Sequence, residues 1–404
     1  MKEYCLGDLI SIKHGYAFDG DHITSEDNGI VLVTPGNFKI GGGFQEDKCK
    51  FFSGEVPDNY VLHPGDYIVT MTDLSKTIDT LGYSAIIPKR SSRTYLHNQR
   101  IGLISFISDS CDHDYIYYVM QTHEYQRAIA NSSTGSTVHH TSPTKICQYR
   151  FYAPEKSQQI QIAKFLRAYD DLIENNRKQI KLLEEAAQRL YKEWFIDLRF
   201  PGHEHTPIIN GIPEGWSRRP ISTIAEYLNG YAFKPSDWQK RGCPIIKIKE
   251  MNQGVSDDTP RNDGKDIPLK YMVKTGDILF SWSATLAAII WNQESGWLNQ
   301  HLFKVTPHDG FSREFVFQAI ANTINEFQNL TTGATMKHIQ RGKLDEVFVN
   351  VPDVVMMDSF SRCTEPMRDK ILALAAQAQR IKETRDRLLP KLMSREMDLA
   401  VAEV

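Results

Sequence analysis

Two long tracts of the chain place apolar residues at alternating intervals of four and three. The first runs through Ile162, Leu166, Tyr169, Ile173, Asn176, Ile180, Leu183, Ala187, Leu190 and Trp194, a seam of coiled-coil period with one polar member, Asn176. The second runs through Met367, Ile371, Leu374, Ala378, Ile381, Arg385, Leu388 and Leu392, with Arg385 as its polar member. Each seam predicts a helix that needs a partner along its length. A single polar residue in such a seam sets register and partner orientation, so Asn176 and Arg385 are the candidate register residues. Pro201-Gly202 is expected to stop the first helix, and residues 203–215 read as a linker.

Away from the seams the pattern is mixed. Residues 67–71, 84–87, 101–106, 278–282, 287–291 and 302–305 are short runs rich in β-branched and aromatic side chains and predict strands. Residues 115–130 and 313–330 predict one helix apiece. The regions before each seam are therefore expected to be α+β, with much loop.

These regions repeat. Gly15-Tyr16-Ala17-Phe18 recurs as Gly230-Tyr231-Ala232-Phe233, and Gly65-Asp66 as Gly276-Asp277. Leu96-His97-Asn98-Gln99 parallels Trp297-Leu298-Asn299-Gln300, and Thr134-Gly135 parallels Thr332-Gly333, with Pro154 and Pro352 following at equal spacing. Five landmarks in one order signal a duplicated unit. The first copy is longer, and its extra residues are expected in loops around 36–55 and 88–96. Conserved frames with divergent loops suit a duplicated readout surface; a duplicated scaffold with drifting loops is the plainer alternative. The expected domains are 1–153, a helix over 154–201, 202–352, and a second helix over 353–404.

Composition is that of a globular chain: 404 residues, 41% hydrophobic and 24% charged. No stretch reaches the roughly 18 unbroken apolar residues of a membrane span. The start, Met1-Lys2-Glu3-Tyr4, has no apolar signal core, so the expected location is cytoplasmic. The six cysteines are scattered singly and are expected to be reduced structural thiols. A net charge of -3 argues that any nucleic-acid binding is local or shared with a more basic partner.

The chain has no phosphate-binding loop, dinucleotide fingerprint, zinc-protease motif or nucleophile elbow, which disfavours an enzyme. His139-His140 and His203-Glu204-His205 lack further ligands at metal-binding spacing, so no metal is expected. The run after each Thr-Gly pair is more informative. Thr134, Ser136, His139, His140 and Lys145 in the first copy, and Thr332, Thr335, Lys337, His338, Arg341 and Lys343 in the second, bring hydroxyls and positive charge behind a glycine. That chemistry suits phosphate contact, while a solvated basic turn is the plain alternative. Tyr16 and Tyr231 are expected in the core first and as stacking groups second. Lys13, Asn98, Arg100, Lys234, Lys247 and Lys249 complete the candidate DNA contacts, because Arg, Lys and Asn make paired hydrogen bonds to bases.

Two similar regions, each followed by a long helix, resemble the specificity subunits of type I restriction-modification enzymes over nearly the whole chain. The most telling segments are Leu190-Tyr191-Lys192-Glu193-Trp194-Phe195 with Arg199-Phe200-Pro201-Gly202, and Arg385-Asp386-Arg387-Leu388-Leu389-Pro390-Lys391-Leu392-Met393-Ser394. The resemblance implies two tandem α+β target-recognition domains and two long helices forming an antiparallel coiled coil, with a pseudo-twofold internal repeat. It implies a non-catalytic subunit that reads a bipartite double-stranded DNA target. Methyltransferase (M) subunits and restriction/translocase (R) subunits would be its partners, and S-adenosylmethionine, ATP and magnesium would belong to them, with no cofactor in this chain. A helix of about 40 residues rises about 60 Å, enough to span half-sites about 34 Å apart. Deleting four residues near Lys178–Lys181 is then expected to shorten the preferred gap or abolish binding. Two other readings stay open: the recognition subunit of a related methylation and cleavage system, or a coiled-coil scaffold for protein.

Overall fold

The computed structural model describes residues 1–46, 49–75, 78–89, 92–256, 258–283, 285–330, 341–394 and 396–397. Its contacts divide into two units, Met1–Asp171 with Lys382–Val404, and Leu172–Ile381. Each unit is an α+β lobe packed on segments of both long helices.

The first lobe holds a four-stranded sheet in the order Ile10–His14, Ile101–Phe106, Tyr67–Thr70, Ser84–Ile86. A second sheet runs Ile23–Thr24, Lys50–Phe52, Ile30–Val33, Thr94–His97, Val61–Leu62. The second lobe repeats the first sheet as Ala225–Asn229, Leu302–Pro307, Ile278–Ser281, Ala287–Ile290. It repeats the second, one strand shorter, as Arg261–Asn262, Cys243–Ile246, Gly296–Leu298, Met272–Val273. Each lobe is closed by an antiparallel pair of its own ends, Lys2–Cys5 with Arg150–Ala153 and Ser217–Pro220 with Phe348–Val351. The regions expected as loops at 36–55 and 88–96 contain the strand Lys50–Phe52 and the start of Thr94–His97. Strands this short carry little period-2 signal.

The helices are α1 (His113–Val119), α2 (His123–Ser132), α3 (Pro143–Cys147), α4 (Lys156–Tyr191), α5 (Ile248–Gln253), α6 (Arg313–Asn329) and α7 (Val354–Ser394). The single helix expected over 115–130 is two. Thr122 ends α1 by donating its hydroxyl to Val119 O at 2.8 Å and starts α2 by accepting from Tyr125 N at 3.3 Å. A threonine that satisfies both ends at once competes with helix continuation.

α4 and α7 bury their seams as their period requires. Ile162, Leu166, Ile173, Asn176 and Ala187 are buried on α4 and Trp194 in the turn that follows it, and Leu374 and Leu392 on α7. The pairing is antiparallel within the second unit, where Asn176 meets Gln377 and Tyr191 meets Phe360. Asn176 Nδ2 donates to Gln377 Oε1 at 3.2 Å. In the first unit Arg385 donates to Asp170.

The stop at Pro201-Gly202 comes too late in the sequence reading. α4 widens into a π-turn over Lys192–Ile196 and is capped by Leu198, which takes a left-handed φ of 58°. Arg199 N then reaches back to Glu193 O at 2.8 Å, closing the end as glycine usually does. Residues 203–215 are not plain linker, since they form a 3-10 turn, His203–His205, and a hairpin of Ile208–Ile209 with Ile212–Pro213.

Candidate nucleic-acid interface

Two of the repeated landmarks, the Gly-Tyr-Ala-Phe and Asn-Gln segments, meet at one end of the main sheet in each lobe. Antiparallel register brings His14, Gly102 and Thr70 to that end in the first lobe, and Asn229, Phe303 and Ser281 in the second. The Gly-Tyr-Ala-Phe segment leaves the sheet there and lies beside the Asn-Gln segment. Tyr16 N donates to His97 O at 2.8 Å and Gln99 N to Tyr16 O at 2.9 Å. In the second lobe Tyr231 N donates to Leu298 O at 2.8 Å and Gln300 N to Tyr231 O at 3.0 Å.

The glycines explain why these motifs travel together. A Cβ on Gly15 would lie 2.2 Å from Asn98 O, and one on Gly230 the same distance from Asn299 O. A side chain would force the two backbones apart, so the bridge needs glycine. Asn98 and Asn299 are buried, and their Oδ1 atoms accept from Arg100 N at 3.0 Å and His301 N at 3.4 Å. Asn98, a candidate base reader, has its acceptor turned into its own tight turn.

Around this bridge the first lobe presents exposed Tyr16, Gln99 and Arg100. His139–His140 forms a short strand against Thr72–Asp73, and His140 bridges back to Thr134 with backbone bonds of 2.8 and 3.0 Å. Thr72 Oγ1 and His140 Nδ1 are 3.1 Å apart. Asp73 anchors this edge. Its buried carboxylate accepts from Ser75 N, Thr80 N, Thr80 Oγ1 and Leu81 N at 2.6 to 3.0 Å. Burial works against its charged form, but the bonds from Ser75 and Thr80 outweigh it and hold the carboxyl below its ordinary range. The structure therefore gathers Tyr16, Asn98, Arg100, Thr134, His139 and His140, which are far apart in sequence. Ser136 is exposed in the same turn.

The second lobe offers different side chains on the same frame. Trp282 Nε1 donates to Asn229 Oδ1 at 3.1 Å, Ser283 Oγ lies 3.4 Å from His301 Nδ1, and the rings of Trp282 and His301 are 5.8 Å apart. Sequence reasoning missed this Trp-His-Asn group. Counting along from Gly276 and Asn299 would have found it, because Trp282 and His301 stand where the first lobe has Met71 and Arg100.

The remaining candidates are placed as follows. Lys247 follows Ile246, whose carbonyl accepts from Asn299 N, and its Nζ lies 5.3 Å from the Trp238 ring centroid. Lys234 is exposed just beyond the Gly-Tyr-Ala-Phe segment. Lys145 is engaged with Ser132 O, Lys249 with Asp258 and Lys343 with Glu346. Lys13 Nζ donates to Asn59 O at 3.1 Å. Thr332, Thr335, Lys337 and His338 lie outside the described residues, as does the side chain of Arg341. Among the described residues no group of three or more His, Cys, Asp or Glu could hold a metal ion, and no helix is long and apolar enough to cross a membrane.

A family model of the type I restriction modification DNA specificity domain matches residues 1–185 and 213–373, one match per repeat. The chain belongs to this family. The type I restriction enzyme MjaIX specificity subunit of Methanocaldococcus jannaschii is 25% identical over 312 residues, covering 70% of this chain and 69% of that protein. The HindI specificity subunit of Haemophilus influenzae is 20% identical over 345 residues, covering 69% and 75%. The crystal structure of a type I system S subunit from M. genitalium aligns with a TM-score of 0.52 at 14% identity, over 97% of this chain and 95% of that one, which shows a common fold. The specificity subunit is thus a non-catalytic DNA-recognition chain.

Proposed function

We propose that this specificity subunit reads a split double-stranded DNA target, one half with each lobe, and directs adenine methylation and restriction by M and R subunits in the cytoplasm. S-adenosylmethionine, ATP and magnesium belong to those partners. The supporting observation is the repeated sheet end: one backbone frame, fixed by Gly15 on Asn98 and Gly230 on Asn299, carries Tyr16, Arg100 and His140 in one lobe and Tyr231, Trp282 and His301 in the other. Identical frames with different polar and aromatic groups suit the reading of two different half-sites, since base edges are distinguished by the donors and acceptors presented to them. The near-neutral charge fits phosphate contacts shared with partner subunits.

The test is base-modification sequencing of DNA from a methylation-free host expressing the cognate M subunit, with and without this chain. A gapped methyladenine motif that depends on the chain is expected. Absence of any chain-dependent motif, with both proteins soluble, overturns the reading.

A further inference from the structure

The two lobes keep a lysine at one point of the frame, but on opposite strands. In the first lobe Lys13 is paired across the sheet with Leu103. At the corresponding pair of the second lobe the residues are exchanged, Leu228 facing Lys304. Counting from Gly15 and Gly230, and from Asn98 and Asn299, makes Lys13 equivalent to Leu228 and Leu103 equivalent to Lys304.

Both ammonium groups nevertheless reach the same target. Lys13 Nζ donates to Asn59 O at 3.1 Å, and Lys304 Nζ donates to Lys270 O and Met272 O at 2.8 Å. Asn59 and Lys270 each precede a tyrosine, Tyr60 and Tyr271, and those tyrosines face the Gly-Tyr-Ala-Phe rings. Tyr16 and Tyr60 have centroids 5.2 Å apart, Tyr231 and Tyr271 5.6 Å. A cation also sits over each loop tyrosine, Lys13 at 4.8 Å from Tyr60 and Lys270 at 5.0 Å from Tyr271. A charged donor on a backbone carbonyl is a strong, directional tether, and keeping it while its strand of origin changes indicates that its end point is what matters.

We propose that Lys13 and Lys304 are positioning residues, each tethering the loop that seats a tyrosine pair (Tyr16 with Tyr60, Tyr231 with Tyr271) at the DNA-reading end of its lobe, and that neither is a phosphate contact. This rests on the DNA reading above.

The test uses the chain assembled with its M subunits and a duplex carrying the mapped target, with affinity measured across salt concentrations. Lys13→Leu is expected to weaken target binding by about tenfold, the scale of one charge-assisted hydrogen bond. Discrimination should be lost at one half-site only, with an unchanged slope of log affinity against log salt. The exchange Lys13→Leu/Leu103→Lys, which copies the second lobe, should restore binding to within about threefold of the parent, a change of under 1 kcal/mol. Lys304→Leu and its exchange with Leu228→Lys should do the same at the other half-site, which keeps the proposal open to refutation if one variant does not fold. A slope reduced by about 0.9, the signature of one lost phosphate contact, with weaker non-specific binding and no rescue, overturns the proposal. So does an unaffected Lys13→Leu complex. A parent complex that shows no target preference overturns the DNA reading itself.

Discussion

In the first lobe the seat of the helices adds a chain of ion pairs to an apolar core that takes in Ile162, Leu166, Leu389, Leu392 and Met393. Asp170 of α4 accepts from the Tyr118 hydroxyl at 2.7 Å and from Arg385 of α7. Asp114 accepts from Tyr67 at 2.5 Å and from Arg167, whose guanidinium lies 5.1 and 5.8 Å from the Tyr117 and Tyr118 ring centroids. In the second lobe the seat is aromatic: Phe195 lies 5.0 to 5.6 Å from Tyr191, Trp216, Phe315 and Phe360, and one ion pair, Arg368 with Glu314, flanks it. Counting from Pro154 and Pro352, the aromatic Tyr191, Trp194 and Phe195 stand where α7 has Leu389, Leu392 and Met393, and Ala187 stands where α7 has Arg385. The same frame thus tolerates two chemistries at its base. An aromatic cluster stabilises through buried area and tolerates small shifts. A chain of ion pairs adds little net energy but demands one geometry.

The comparison is broken most severely by Phe195→Ala, which opens the aromatic seat and is expected to lower unfolding free energy by about 4 kcal/mol, read from denaturant unfolding followed by tryptophan fluorescence. Next, Arg385→Ala leaves Asp170 half-buried without its guanidinium and should cost about 3 kcal/mol. The double variant Asp170→Leu/Arg385→Leu should be less destabilised than Arg385→Ala alone; if it is more so, the pair stabilises rather than orients. Asp73→Ala is expected to cost about 2 kcal/mol through lost hydrogen bonds; counting from Gly65 and Gly276, the second copy of the sequence has Ala284, with no carboxylate, at the matching place.

The same carboxylate sets a pH dependence. Its folded-state value is depressed, so its contribution is present above the ordinary value of about 3.9 and is lost as pH falls through the lower folded value. Thermal melting of Asp73→Asn should therefore vary less with pH below about 4 than that of the parent. Smallest of all, Asn176→Leu should raise stability by about 1 kcal/mol, because a buried polar seam residue sets register at some loss of stability. A lower denaturant midpoint would show that the Asn176–Gln377 bond stabilises on balance.

Much of this was legible in the residues. The helical seams could be read because a period sustained over many turns has no competing explanation, and the duplication because five landmarks kept their order. The reason for two landmarks was not legible: Gly15 and Asn98 recur together because their backbones touch, a contact across more than eighty positions that no local pattern encodes. Two-residue strands such as Ile23–Thr24, Val61–Leu62 and Met272–Val273 escaped for lack of period, and Thr122 looked like an ordinary helix interior until its hydroxyl was seen serving two ends. Of the site, the types of residue were readable and their company was not. His140 meets Thr72 through strand pairing, and Lys13 is matched by Lys304 only once cross-strand register is known. Lys145, Lys249 and Lys343 show the converse, since a basic residue in a promising run can already be committed to a neighbour.

The paired ends of each lobe carry a consequence for how such chains change. Lys2 faces Ala153 and Ser217 faces Val351, so the polypeptide enters and leaves each lobe at adjoining points of one small ladder. The two lobes differ in length between those points and keep the same ladder. A lobe replaced between those points would join the helices through the same small ladder, so one side could take on a new vocabulary while the grammar of the helices is untouched.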